Sequence, residues 1–197
     1  MNPMTTLKAK AAGSDKSTVL PRVHLIATGG TIAGVAKPDE ASGLGAYVSA
    51  QRSGESLLQA LPDLLARAQW TFEQPYSIGS QNLQPQHMLT LRDCILKALH
   101  SPLVDAIVVT HGTDTLEDML FFLYLTLPVH RLTKPVVFTA SMLPSDHPQA
   151  DGPANLSSAL DWALGLHGSA CFDEALAVLR LGAVLNGLFT PAACVRK

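Results

Sequence analysis

Ala106-Ile-Val-Val-Thr110 runs directly into His111-Gly-Thr-Asp-Thr115 and then into the apolar run of residues 116–127, and this stretch decides the fold. Five consecutive apolar or β-branched residues predict a buried strand. The polar residues after it predict a turn, and the apolar run predicts a helix. Thr115 followed by Asp118 reads as a variant capping box for that helix.

The same grammar repeats on either side. Val23-His-Leu-Ile-Ala-Thr28 is a short apolar run that ends in Gly29 and Gly30, so it reads as a buried strand and a loop. Residues 31–48 are rich in Gly, Ser, Pro and Asp and read as one long loop, a length often given to functional lids. Residues 54–66 have helical apolar spacing interrupted at Pro62, and Trp70-Thr-Phe-Glu-Gln74 predicts a strand. Residues 87–99 form an amphipathic helix with Met88, Leu91, Ile95, Leu96 and Leu99 on one face. Pro135-Val-Val-Phe-Thr139 is another buried strand. A loop through Pro144, Pro148 and Gly152 leads from it to a helix at about residues 155–166. Residues 175–185 are strand-like, broken by Gly182.

Alternating strands and helices imply an α/β fold, with a mainly parallel sheet and helices on both faces. Residues 22–197 read as one domain. Residues 1–21 contain Lys8, Lys10, Asp15 and Lys16 around Ala11-Ala-Gly-Ser14, and read as a flexible tail without the apolar core of a signal peptide. The longest apolar stretch is too short to span a bilayer. The chain is 47% hydrophobic and 15% charged, enough to bury a sizeable core. A net charge of -2 argues against nucleic acid as a partner and leaves a small-molecule substrate open. Cys94, Cys171 and Cys194 are odd in number and widely spaced, which argues against a zinc or redox motif and favours a reducing, cytoplasmic setting.

The polar clusters all follow strands, at residues 28–34, 77–82, 111–115 and 141–145. In an open parallel sheet these carboxyl ends form one rim, where ligands bind. Thr28-Gly-Gly-Thr-Ile-Ala-Gly34 lacks the Lys–Ser/Thr ending of a phosphate loop and the glycine spacing of a dinucleotide site. Two readings stay open: a glycine turn between strand and helix, or a turn that presents the Thr31 hydroxyl to a ligand. Thr113 and Asp114 either cap the following helix or use its positive end to meet a ligand. His111, next to a buried strand, reads as a structural hydrogen-bonder.

Four motifs, in order, resemble one family. Thr28-Gly-Gly-Thr-Ile-Ala-Gly34 and His111-Gly-Thr-Asp-Thr115 are similar to the two signatures of the bacterial-type L-asparaginases. Ile78-Gly-Ser-Gln81 resembles their substrate loop, and Ala150-Asp-Gly-Pro-Ala-Asn-Leu156 a further segment. The resemblance implies the N-terminal α/β domain of that family, acting on L-asparagine with no cofactor and no metal, and homo-oligomeric in full-length relatives.

It also implies roles. Thr31 is the nucleophile, with Tyr47 as the loop tyrosine beside it. A threonine hydroxyl needs a base, and a phenol serves as one only where its surroundings favour the phenolate. Thr113, Asp114 and Lys197 form a second polar triad, with Arg196 the competing position for the lysine. Asp114 holds the substrate's ammonium, Ser80 and Gln81 hold its α-carboxylate, and the backbone at Ser141 meets its amide. Glutaminase side activity is compatible with this pocket. Family members continue well past residue 197, so the expectation is a shortened member, weakly active or reduced to an amino-acid-binding remnant. The related amidotransferase subunit acting on charged tRNA fits less well, for want of a basic face.

Overall fold

The computed structural model describes residues 5–7, 19–36, 47–166 and 180–196. Seven strands form one sheet in the order β1 (Thr5–Leu7), β5 (Gln69–Glu73), β2 (Arg22–Ala27), β6 (Ala106–Thr110), β7 (Val136–Thr139), β8 (Leu181–Leu185) and β9 (Leu188–Pro191). The five central strands are parallel, and β1 and β9 add to the edges antiparallel. The expected α/β fold is therefore present. Within the stretch read as a flexible tail, Thr5–Leu7 pair with β5. A separate two-stranded ladder, β3 (Val35–Ala36) and β4 (Tyr47–Val48), lies in the region read as one loop. Two-residue strands carry no readable periodicity.

Every residue of β6 is buried, as its composition predicts. Alternate side chains feed two cores. Ile26, Ile107, Val109, Val136 and Phe138 pack against α3 (Pro85–His100) and α4 (Leu116–Thr126). Leu25, Val108, Val137 and Val184 pack against α1 (Gly54–Gln59), α2 (Pro62–Leu65) and α5 (Gly152–Ala163). Pro62 splits the predicted helix of residues 54–66 in two. No helix among the described residues is long and apolar enough to cross a membrane.

Taken in chain order, the parallel strands run 2-1-3-4-5 across the sheet. The chain leaves β2 toward β5, then crosses back over β2 to β6. Strand order thus reverses between β2 and β6, and a crevice opens outside their carboxyl ends. The connection from β2 to β5 carries α1 and α2 on one face. Those from β5 to β6 and β6 to β7 run the other way with α3 and α4 on the opposite face, so all three share a hand. The β7-to-β8 connection continues in that second direction but carries α5 on the first face, which reverses the hand. Such crossovers are right-handed in roughly 98% of cases, so β7–α5–β8 is the left-handed exception.

Candidate active site

The crevice is lined first by the turn that leaves β2. The Thr28 hydroxyl donates to the Thr110 carbonyl at 2.9 Å and locks the end of β2 to the end of β6. The Gly30 N–H donates to the Ile78 carbonyl and the Ile78 N–H to the Thr28 carbonyl, extending the β2–β5 pairing past the strand ends. Gly30 has φ 77 and ψ -174, a region essentially reserved for glycine. A Cβ there would lie 2.6 Å from the Gly112 Cα. The two glycines let the turn at Thr31–Ala33 press directly on the turn at Thr113–Thr115.

Thr31 is buried, and its Oγ1 is 2.8 Å from the hydroxyl of Tyr47, which is exposed on β4. Beside them Ser80 is buried at the start of the turn Ser80–Asn82. Its hydroxyl accepts the Asp114 backbone N–H at 3.1 Å and donates to Asp114 Oδ2 at 3.5 Å. A Cβ on Gly112 would fall 2.4 Å from that same hydroxyl, so the contact requires glycine. Thr113 is half-buried and Asp114 exposed at the mouth of the crevice, ahead of Glu117 and Asp118 in the first turn of α4. Gln81 is exposed, with its amide folded over Gly79.

Thr115 stands at the N-cap of α4 as expected, but its side chain makes no capping bond. Its hydroxyl donates to the Ser80 carbonyl at 3.0 Å, because the chain first makes a tight turn and the threonine faces the backbone of the turn at Ser80–Asn82. His111 is buried against Phe138, and its Nδ1–H donates to the Gly112 carbonyl at 2.8 Å. Burial lowers its pKa below the usual histidine value and keeps the ring neutral. It shapes the turn, as the sequence indicated.

Ser141 is buried after β7, and its hydroxyl donates to the Leu143 carbonyl. The Asp151 carboxylate accepts the backbone N–H groups of Met142 and Leu143. Asn155 donates to the Ala140 carbonyl and to Asp151 Oδ2, and accepts the Asn186 N–H. A Cβ on Gly152 would lie 3.0 Å from Ile32 and 3.6 Å from the Ser141 Cβ, so the Ser141 turn backs onto the Thr31 turn. An apolar cleft lined by Ile32, Arg52, Leu57, Ser145 and Leu156 opens on the far side of Ile32 and does not include Thr31.

Lys197 lies outside the described residues. Arg196 is exposed and donates to the Val195 carbonyl. The turn Ala192–Cys194 that leads to them packs on α4. The ties made by Ser145 and Asp146 escaped the sequence reading. Ser145 and Asp146 bond to the backbone at Gly34 and Ala36, and no local pattern marks a bond between residues more than a hundred positions apart.

A family model described as Asparaginase, N-terminal, matches residues 22–181. L-asparaginase 2 of Bacillus subtilis is 40% identical over 155 residues, covering 79% of this chain and 40% of that protein. A glutaminase-asparaginase of Pseudomonas fluorescens is 36% identical over 152 residues, covering 77% of this chain and 41% of that protein. The crystal structure of a cytoplasmic L-asparaginase, so described as probable, from Campylobacter jejuni superimposes with a TM-score of 0.74 at 31% identity, covering 87% of this chain and 48% of that one. The chain thus spans less than half the length of these relatives.

Proposed function

We propose, from the premise that this chain belongs to the asparaginase family, that its rim hydrolyses the side-chain amide of L-asparagine through Thr31. The observation that carries the reading is the 2.8 Å hydrogen bond between the Thr31 and Tyr47 hydroxyls at the strand-order reversal. A buried hydroxyl with a phenol on it has a ready path for its proton.

Thr31 Oγ1 attacks the amide carbon, and its proton passes through Tyr47 toward the departing nitrogen. The C–N bond breaks, ammonia leaves, and an ester joins Thr31 to the aspartyl group. Water then attacks the ester carbon, the Oγ1–C bond breaks, and Thr31 regains a proton as aspartate departs. Asp114 receives the substrate's ammonium. Ser80 and Gln81 receive its α-carboxylate, and the 3.5 Å arm from Ser80 to Asp114 is the bond most easily exchanged for it. The backbone at Ser141 meets the amide, and Lys197 serves the Thr113–Asp114 pair. Glutamine is longer by one methylene, a difference worth roughly 1–3 kcal/mol in a pocket, and enters as a weaker substrate. The glutaminase-asparaginases among the relatives favour that addition.

Ammonia release from asparagine tests the reading. The expected result is turnover by the chain that Thr31→Ala abolishes and that Tyr47→Phe lowers by about 100-fold or more. Aspartate binding without any turnover would instead support an amino-acid-binding role.

A further inference from the structure

We propose that Asp146 is a positioning residue that holds Tyr47 against Thr31; the inference rests on the roles given to those two residues above. Among the described residues, the β3–β4 ladder that carries Tyr47 belongs to no larger sheet. It is two residues long, and Ala36, Tyr47 and Val48 are all exposed, so apolar burial does not fix it. A ladder this short is not stable by itself in water.

Polar contacts fix it from both ends. After β4, the Ala50 N–H donates to the Gly30 carbonyl, and the Gln51 and Arg52 N–H groups to the Ala33 carbonyl. On the β3 side, the Ser145 N–H and hydroxyl both donate to the Gly34 carbonyl, at 2.9 and 2.6 Å. Two residues further, the Ala36 N–H donates to both carboxylate oxygens of Asp146, at 3.0 and 2.9 Å. Ala36 is the register partner of Tyr47.

The chain of contacts is therefore short: the Asp146 carboxylate grips Ala36, Ala36 pairs with Tyr47, and Tyr47 reaches Thr31. Gly34 leaves the space for the ring, since a Cβ there would lie 2.9 Å from Tyr47 Cδ2. A carboxylate accepting a backbone N–H is among the stronger hydrogen bonds a surface residue makes. Asp146 is itself exposed, so replacing it leaves the cores untouched.

The test labels the chain with 3-fluorotyrosine. Its three tyrosines are Tyr47, Tyr76 and Tyr124, and Tyr47→Phe assigns the resonance of interest. Thr31→Ala defines how that resonance moves when the contact is lost. Asp146→Ala is expected to move it in the same sense while the Tyr76 and Tyr124 resonances stay in place. Asp146→Asn keeps one acceptor oxygen and is expected to restore part of the shift. In the ammonia assay, Asp146→Ala is expected to lower kcat about tenfold or more with KM little changed. An unmoved Tyr47 resonance in Asp146→Ala overturns the proposal, as does a joint movement of all three resonances. Absence of turnover in the unaltered chain, with the resonances behaving as expected, overturns the asparaginase reading and leaves the positioning role standing.

Discussion

Gly30 shows how much of the crevice depends on a side chain that is not there. Its backbone conformation excludes other residues, and any Cβ would drive the Thr31 turn off Gly112. Gly30→Ala is expected to cost about 2–5 kcal/mol, from backbone strain and overpacking together, measured by urea unfolding. The sequence showed that glycines stood at this turn but not which atom each one faced, because Gly112 and Ser80 come from other strands. His111 was readable as structural because a histidine beside a buried strand has little but backbone to bond. Thr115 holds the cap position read for it but not the capping bond, since a threonine three residues before an acidic residue looks the same whether its hydroxyl turns inward or outward. Tyr47 carried no signal of its own beyond its position in a family-like loop.

Elements were easiest to read where apolar residues are dense. The strand at residues 106–110 has the bounds its composition suggests, and α3 differs from its predicted range only at the ends. α5 begins at Gly152, three residues before the expected start, because Pro153 suits a first helical turn. The role of Asn155 in that helix was not legible at all. Its amide joins the end of β7, the Asp151 carboxylate and the turn between β8 and β9. Asn155→Leu leaves these buried groups unpartnered and is expected to cost about 2–5 kcal/mol. Amide exchange at Asn186 is expected to speed up more than exchange in β6, and equal acceleration in both would count against a local tie.

At the scale of the whole molecule, the parallel sheet follows from alternation, but the order of its strands and the hand of the β7–α5–β8 crossover do not. Hand is a property of which face of the sheet a helix covers, and an apolar stripe such as that of α5 does not name the face. Stability against pH is also a whole-chain property, and among the described residues two buried histidines contribute to it between pH 7 and 5. Burial lowers the pKa of His24, against the pull of Glu73 and with the push of Lys97, and it lowers that of His111. The unfolded chain therefore takes up protons first as pH falls below about 6.5. Their contribution is complete above that pH and is lost as pH drops toward the folded values. The Asp105 carboxyl, held down by Arg22, is drawn on only below about pH 4. Urea unfolding between pH 7 and 5 is expected to show falling stability, each histidine steepening the slope by at most about 1.4 kcal/mol per pH unit. His24→Gln is expected to flatten it. The reversed crossover has a last consequence, in the order of events rather than in the finished shape. It brings Ser145 and Asp146 to residues 110 or 111 positions earlier in the chain. Closing so long a loop is slow and gains nothing until the strands between are paired. The hydroxyl pair is therefore expected to acquire its geometry only after β2, β6 and β7 have paired.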